Sequence, residues 1–401
     1  MKFSILLPTR NRVRYLEFAL QTVLRQDYSD WEVIVSDNDS EEDVAGLCRS
    51  LNDERVRYYR TSEFLPVTDN WNNALSRSTG DYVIMLGDDD ALMRGHLRTM
   101  ARLITQFDAP DLIYTGAYIY AYPGVLPEHP DGYLRRNSNP IFPSEEPFWL
   151  PAAQGRALVD QAMRLRMPVT FNMQHSVISR RFIDSLAAHG PFFQSPYPDF
   201  YATNVAFLEA RRLLVFQRPM VTIGITPRSY GFFHFNKDEK GGMEFLKNAP
   251  DAESRERLAH VILPGNKNNT SWLLAMVALE KNFGPETGVR VDYQRYRLLQ
   301  LIHAYKNYYL DRRLTASEFG EVTRLMRPTE RLVYGVPMRT LFTVLRLIPA
   351  WLQEGIATRL RTAIGQYAGL GAIQEEKSFR TVLDVFEAMD PVADDPADRA
   401  A

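Results

Sequence analysis

The chain has 401 residues, of which 45% are hydrophobic and 24% are charged, which is the composition of a globular protein with one or two domains. Its formal net charge of -2 gives no general attraction to nucleic acid or to anionic membranes. The single cysteine, Cys48, excludes an internal disulfide and a cysteine-based zinc cluster, and it agrees with a reducing compartment. The sequence contains no uninterrupted run of about 18 apolar residues, so no membrane-spanning helix is predicted.

Short apolar strand patterns and helical patterns alternate through the first hundred residues. Strands are predicted at 3–7, 31–36, 56–60 and 82–86, with helices at 13–26, 71–78 and 96–107. This order predicts an open α/β sheet with helical crossovers. Such sheets bind ligands outside the carboxyl ends of their strands, so the polar segments that follow the strands are the candidate site.

The pattern changes after the first hundred residues. The proline-rich segment 123–151 is predicted as a long loop, and helical patterns follow at 154–166 and 200–210. Beyond about residue 250 helical patterns dominate, and the tail 391–401, rich in Asp, Ala and Pro, is predicted to be disordered.

Three consecutive carboxylates, Asp88, Asp89 and Asp90, follow the strand predicted at 82–86. Their mutual repulsion suppresses ionisation unless water or a cation relieves it. Mg²⁺ or Mn²⁺, which binds through one or two carboxylates together with substrate phosphates, suits this arrangement. The alternative is a solvated acidic turn that closes the strand.

Three segments in order resemble the family 2 glycosyltransferases of the GT-A fold: PTRNR at 8–12, WEVIVSDNDS at 31–40 and GDYVIMLGDDD at 80–90. The resemblance is close over about the first 110 residues and looser to about 235. It implies a mostly parallel sheet flanked by helices, with a mainly helical C-terminal region.

The resemblance also implies a domain division. Residues 1–245 form the catalytic domain, with a nucleotide-sugar half at 1–110 and an acceptor half at 111–245. The helical region then covers 246–390, before the tail.

The same resemblance places the nucleotide at two strand ends. It implies that Pro8, Thr9 and Asn11 border the nucleotide, and that Asp37 and Asn38 recognise the base. Asn38 stands where the family more often has a second aspartate, yet its amide can read a uracil edge, so a UDP-sugar donor is favoured. These side chains could instead form turns and a helix cap. The neighbouring arginines at positions 10, 12 and 14 either form a solvated face or supply a phosphate contact.

For the acidic motif the resemblance implies a diphosphate contact at Asp88 and metal ligands at Asp89 and Asp90, with Asp89 the first choice. Gly87 occupies the position where many members carry the first aspartate of the motif. A further metal or phosphate contact is expected at His234, which could equally be a packed residue.

A catalytic base is expected about a hundred residues beyond the acidic motif, at the start of a helix. Asp199 matches that placement, and its alternative role is a helix N-cap. A helix N-terminus lowers the basicity of a carboxylate, so the base hypothesis also requires a partly dry pocket. His175 lies in the expected acceptor region, where it either contacts the site or packs in the core.

The function implied by the resemblance is an inverting, metal-dependent hexosyl transfer from a nucleotide-diphosphate sugar to a glycan or lipid-linked acceptor, in bacterial surface polysaccharide or glycolipid synthesis. No nucleic acid partner is expected. Two alternatives stay open: a sugar nucleotidyltransferase, and a non-catalytic subunit that binds nucleotide sugars. The first would carry a glycine-rich loop after the first strand, and the second would need no base at Asp199.

The segment 327–361 contains six arginines and two glutamates interleaved with apolar residues. A basic amphipathic helix of this kind can lie in a membrane interface. Packing on the catalytic domain or in a homo-oligomer is the alternative. The expected location is the cytoplasm, with peripheral contact to the inner face of the plasma membrane if the segment binds lipid.

Overall fold

The computed structural model of the chain describes residues 1–137, 139, 141–142, 144–227, 229, 258–349, 352, 355–356 and 379–390. These residues belong to two units. The first contains the described parts of 1–159, 169–248 and 369–401, and the second contains those of 160–168 and 249–368. His234 and the tail 391–401 lie outside the described residues.

A single ten-stranded sheet organises the first unit. Its strands are β1 (Phe3–Thr9), β2 (Trp31–Asp37), β3 (Val56–Arg60), β4 (Tyr82–Met85), β5 (Ala91–Leu92), β6 (Leu112–Ala121), β7 (Tyr133–Asn137), β8 (Phe148–Leu150), β9 (Ser176–Ser179) and β10 (Leu213–Ile225). They lie in the order β3-β2-β1-β4-β9-β6-β10-β5, with β7 beside β6 and β8 beside β10. β1 to β4, β6 and β10 run in one direction, so the sheet is mostly parallel.

Helices flank this sheet, and the predicted α/β class is confirmed. They are α1 (Val13–Leu24), α2 (Val44–Ser50), α3 (Val67–Arg77), α4 (His96–Gln106), α5 (Ala152–Met163, which continues into the second unit), α6 (Arg180–Ser185) and α7 (Pro198–Glu209). The predicted apolar face of α1 is buried at Leu16, Ala19, Leu20 and Val23. β1, β2 and β4 are buried almost throughout, as their continuous apolar runs predict.

The second unit is helical, as predicted for this part of the chain. Its helices are α8 (Lys267–Thr287), α9 (Tyr293–Tyr305), α10 (Ala316–Arg324), α11 (Pro328–Glu330) and α12 (Val336–Leu345), with π-helical stretches at Lys306–Leu310 and Arg331–Gly335. A buried ion pair joins Arg297 on α9 to Glu330 on α11, with Nε–Oε1 at 2.6 Å. Nowhere in the described ranges does a helix combine the length and apolar character needed to cross a bilayer.

Several strands differ from the sequence-based prediction. The predicted loop 123–151 contains β7 and β8, and β10 was not predicted at all. β10 pairs with β6 through register shifts around Pro219, so its alternation of inward and outward residues is interrupted. A last helix, α13 (Val382–Ala388), belongs to the first unit, although the sequence assigned it to the helical region 246–390.

Candidate active site

The carboxyl ends of β1, β2 and β4 bring the predicted site segments to one edge of the sheet. Thr9, the last residue of β1, lies in register with Asp37, the last residue of β2. The acidic run begins three residues after β4 ends, beside them. Parallel strands therefore assemble the candidate site.

Arg12 joins two of the three carboxylates. Its Nη1 lies 2.9 Å from Oδ1 of Asp88, and its Nη2 lies 2.6 Å from Oδ2 of Asp89. The Thr9 hydroxyl donates to Oδ2 of Asp88 at 2.7 Å. Burial lowers the pKa of Arg12, but these carboxylates outweigh burial and raise it above its ordinary value. Arg12 is therefore a permanent cation inside the cluster rather than part of a solvated face.

Asp89 connects the cluster to the end of β10. Oδ2 of Asp89 accepts hydrogen bonds from the hydroxyls of Ser229 and Thr226, which also receive bonds from Arg12. A Cβ on Gly224 would lie 1.8 Å from the carbonyl oxygen of Asp89, so only glycine allows this approach. No described residue donates a hydrogen bond to Oδ1 of Asp89.

Asp90 is held by the protein itself. Its Oδ1 accepts the Gly224 N–H at 2.8 Å, and its Oδ2 accepts the Gly87 N–H at 2.7 Å and the Gln174 amide at 3.0 Å. A Cβ on residue 87 would lie 2.6 Å from Oδ2 of Asp90. Glycine in place of the family's first aspartate therefore makes room for the Asp90 carboxylate.

Among the described residues, three carboxylates share the cluster with one arginine, Arg12. Burial raises the pKa of Asp88 to about 6, opposed by Arg12 and reinforced by the charge of Asp89. Burial and the charge of Asp89 raise the pKa of Asp90 to about 7, against the hydrogen bonds that it accepts. A positive charge brought to this edge would favour the ionised cluster.

Among the described side chains of the cluster, one carboxylate suits the role of a ligand to a divalent cation. Within the described part of the chain, no three His, Cys, Asp or Glu side chains converge as metal ligands. Both oxygens of Asp90 are used in the fold, so Asp90 does not suit the ligand role predicted for it. Oδ1 of Asp89, to which no described residue donates, would suit Mg²⁺ or Mn²⁺ when water and substrate phosphates complete the coordination shell.

The side chains expected to recognise the base also hold the fold. Asp37 accepts hydrogen bonds from the Tyr58 hydroxyl at 2.7 Å and from the Ser40 N–H at 3.0 Å. The Asn38 amide donates to the Leu65 carbonyl at 2.8 Å and accepts from the Leu65 N–H at 2.7 Å. Asn38 thus fixes the loop after β3, and its side-chain amide oxygen already accepts a hydrogen bond from that loop.

The loop after β1 lies against an exposed ring in the loop after β3, Phe64, which sequence analysis missed. Pro8 is half-buried within β1, and Asn11 has φ 51 and donates its N–H to the Ser40 hydroxyl at 3.0 Å. The Arg10 guanidinium lies 4.2 Å from the ring centroid of Phe64, which is exposed. An exposed aromatic residue with flanking polar residues gives no strong sequence signal by itself.

Asp199 lies in the first turn of α7, but Tyr197 occupies the N-cap position. The N-cap alternative for Asp199 is therefore wrong. The Asp199 carboxylate accepts the Phe200 N–H at 2.9 Å, and burial raises its pKa to about 6 against that bond. α7 contacts the turn at Met173–His175, whose Gln174 binds Asp90, so Asp199 lies on an element adjoining the cluster.

His175 is a packed core residue. Its Nδ1 lies 2.7 Å from the Thr115 carbonyl oxygen, and its ring stacks on Tyr114 at a centroid distance of 5.1 Å. Burial lowers the pKa of His175 to about 4, so the ring is neutral at physiological pH. The contact between this turn and the acidic cluster is made by the preceding residue, Gln174, which sequence analysis did not select.

Comparison with known families agrees with this geometry. Residues 4–158 match the model of the family described as Glycosyl transferase family 2. This segment of the chain is similar to family 2 glycosyltransferases. The resemblance noted in the sequence is thereby confirmed for the segment that contains Arg12 and the acidic cluster. Gln174, Asp199 and the end of β10 lie beyond the matched residues.

Named relatives resemble this domain over part of their length. A GalNAc(5)-diNAcBac-PP-undecaprenol beta-1,3-glucosyltransferase of Campylobacter jejuni is 36% identical over 102 residues, which are 25% of this chain and 33% of the relative. A putative colanic acid biosynthesis glycosyl transferase, WcaA, of Escherichia coli is 31% identical over 141 residues, which are 33% of this chain and 50% of the relative. The chain thus spans a third to a half of these relatives.

Among solved structures, S. aureus TarS 1-349 in complex with UDP-GlcNAc aligns with a TM-score of 0.44 and 16% identity, covering 84% of this chain and 92% of that one.

Proposed function

We propose that the chain transfers a hexosyl group from a nucleoside-diphosphate sugar to an acceptor hydroxyl, with inversion at the anomeric carbon. The observation that carries the proposal is the cluster of buried Asp88, Asp89 and Asp90 at the strand-end edge of the segment that matches family 2, where no described residue donates a hydrogen bond to Oδ1 of Asp89. A diphosphate with its counter-ion is a chemical group that such an edge can bind.

The donor diphosphate is proposed to lie beside Asp89 and Arg12. Arg12 already bridges Asp88 and Asp89, and its fixed positive charge would orient the diphosphate next to the cluster. Mg²⁺ or Mn²⁺, held through Asp89, would neutralise negative charge on the departing nucleoside diphosphate. A UDP-sugar is the first donor to test.

Asp199 is the proposed general base. The acceptor hydroxyl oxygen forms a bond to the anomeric carbon while the bond from that carbon to the diphosphate oxygen breaks, and the hydroxyl proton passes to Asp199. The pKa of Asp199, raised to about 6 by burial, leaves the carboxylate ionised at neutral pH and more basic than an exposed aspartate.

The acceptor is proposed to be a lipid-linked glycan on the cytoplasmic side of the membrane. The supporting observation is the name of the Campylobacter relative, which acts on an undecaprenol-linked glycan. A free glycan is the alternative acceptor within the same chemistry.

The first experiment screens nucleotide sugars by thermal shift with and without Mn²⁺, since a ligand that binds only the native state raises the melting temperature. The best donor is then used in a transfer assay with wild-type protein and the Asp199→Asn variant. We expect this variant to bind the donor normally but to lose transfer by about 10²- to 10⁴-fold, because no base accepts the proton.

Asp69→Asn is the matched control, because Asp69 also lies in the first turn of a helix, α3, and is exposed. It should keep wild-type transfer. The wild-type rate should fall as pH decreases below about 6, where Asp199 becomes protonated. Full transfer by Asp199→Asn would contradict the base assignment, and donor binding without transfer by wild-type protein would favour a non-catalytic binding role.

A further inference from the structure

Exposed apolar side chains concentrate on one stretch of the second unit. Of the twelve large hydrophobic residues that are exposed in the described chain, eight lie between Leu325 and Leu352. Three of them, Leu332, Val336 and Leu347, are 82%, 70% and 81% exposed. We call the eight residues the apolar belt: Leu325, Leu332, Val333, Val336, Leu341, Val344, Leu347 and Leu352.

The belt cannot be explained by the packing of the second unit. α12 buries Met338, Phe342 and Leu345, at spacings of four and three residues, in the core that also contains Leu301 and Tyr305. One face of α12 therefore satisfies the ordinary amphipathic pattern. The exposed Val336, Leu341 and Val344 give the same helix further apolar surface, whereas a water-facing surface would be polar.

The charges along the belt have one sign. Arg327, Arg331, Arg339 and Arg346 are exposed between the apolar residues, and none forms an ion pair with a described residue. The only acidic residue between positions 325 and 352 is Glu330, which is buried and paired with Arg297. Among the residues that the structure describes, the exposed charges of this stretch are thus all positive.

We propose that the apolar belt and its four arginines dock the protein on an anionic phospholipid surface. Apolar side chains enter the boundary between headgroups and acyl chains, while arginines pair with lipid phosphates. A second copy of the chain fits less well. A two-fold interface would place four arginines opposite four arginines, with no exposed carboxylate between positions 325 and 352 to pair with them.

The test is sedimentation of the full chain with vesicles, without donor or metal. Vesicles of phosphatidylcholine alone are compared with vesicles that also contain about 30% phosphatidylglycerol. We expect binding to the anionic vesicles, weaker binding at high salt, and little binding to the neutral ones. Because no substrate is present, failure here leaves the proposed transfer reaction untouched, and failure of transfer leaves this proposal untouched.

Two variants separate the contributions. The triple change L332S/V336S/L347S alters only strongly exposed side chains, and R339Q/R346Q removes two charges. Each should weaken anionic-vesicle binding by roughly tenfold or more. Ile141→Ser, at an exposed apolar residue outside the belt, is the control and should bind normally.

Absence of binding to anionic vesicles would overturn the proposal, as would full binding by the triple variant. Light scattering completes the test. A dimer that the triple variant loses, together with no vesicle binding, would identify a second copy as the occupant of the belt.

Discussion

Buried carboxylates at the two ends of the central sheet have pKa values shifted in opposite directions. At the end opposite the candidate site, Glu32 accepts hydrogen bonds from Lys2, Arg57, Ser4 and the Thr79 N–H, at 2.6 to 2.9 Å. Burial alone would raise the pKa of Glu32, but these donors outweigh it and lower the pKa to about 2. This carboxylate is fully satisfied by its own protein.

At the other end, the pKa values of Asp88 and Asp90 are raised to about 6 and about 7. Arg12 pairs with Asp88 and Asp89 there, and no described residue donates a hydrogen bond to Oδ1 of Asp89. The difference teaches that burial by itself does not identify a functional acid. A better indicator is an excess of carboxylates over the described groups that pair with them, because a ligand can supply the missing positive charge.

Among the variants that compare the two ends of the sheet, the largest effect is expected at the acidic cluster. Asp89→Asn should lower transfer by about 10²- to 10³-fold, because it removes the carboxylate that would hold the cation beside the diphosphate. Its free energy of unfolding should change by less than about 1 kcal/mol, since Arg12 keeps its contact with Asp88. Transfer assays and urea unfolding measure the two quantities.

Asp27→Asn is the control for that experiment, since Asp27 is an exposed aspartate paired with Arg98. It should change neither quantity. If Asp89→Asn retained transfer and its dependence on Mn²⁺, the cation would have to bind elsewhere.

At the Glu32 end of the sheet we expect the opposite pattern, in which stability falls and transfer is kept. Glu32→Gln should lower the free energy of unfolding by about 2 to 3 kcal/mol, because it breaks a buried, charge-assisted network. Transfer, measured below the melting temperature, should stay within about twofold of wild type. Glu54→Gln, at an exposed glutamate, is the matched control and should unfold like wild type.

The pH dependence of unfolding tests the same network. The folded-state pKa of Glu32 lies below its unfolded value of 4.5, so its stabilising contribution is complete above about pH 4.5 and is lost as pH falls toward about 2. Glu32→Gln should therefore show a shallower loss of stability over this acid range. An equal slope in both proteins would mean that other carboxylates control acid unfolding.

Much of the sheet and the position of the acidic cluster could be predicted from the sequence. Continuous apolar runs mark the buried parallel strands, and the carboxyl ends of such strands meet at one edge. Asp88 and Asp89 were placed correctly at that edge for this reason. The conformation of Asp90 was not predictable, because it depends on the missing side chain at Gly87 and on the approach of Gly224.

The remaining partners of the cluster come from parts of the chain with weak local signals. Gln174 precedes the four-residue strand β9, and Thr226 and Ser229 follow β10, whose alternation is broken by register shifts. Arg12 is one of three closely spaced arginines, at positions 10, 12 and 14, and only its contacts with Asp88 and Asp89 distinguish it from the other two. Such contacts join residues far apart in sequence, so local patterns cannot reveal them.

The smallest predicted effect tests whether Asp37 belongs with the satisfied carboxylates or with the ligand site. The Tyr58 hydroxyl donates to Asp37 at 2.7 Å, so Tyr58→Phe removes one partner while keeping the ring. We expect a loss of about 1 kcal/mol in unfolding free energy. If Asp37 contacts the nucleotide, as the resemblance to family 2 implies, donor affinity should also fall by roughly threefold, because the carboxylate loses a bond that orients it. Tyr59→Phe, whose hydroxyl contacts Arg57 instead, should leave donor affinity unchanged. If both variants lost stability alike and neither changed donor binding, Asp37 would be a purely structural acid like Glu32, and recognition of the base would have to come from other groups at this edge.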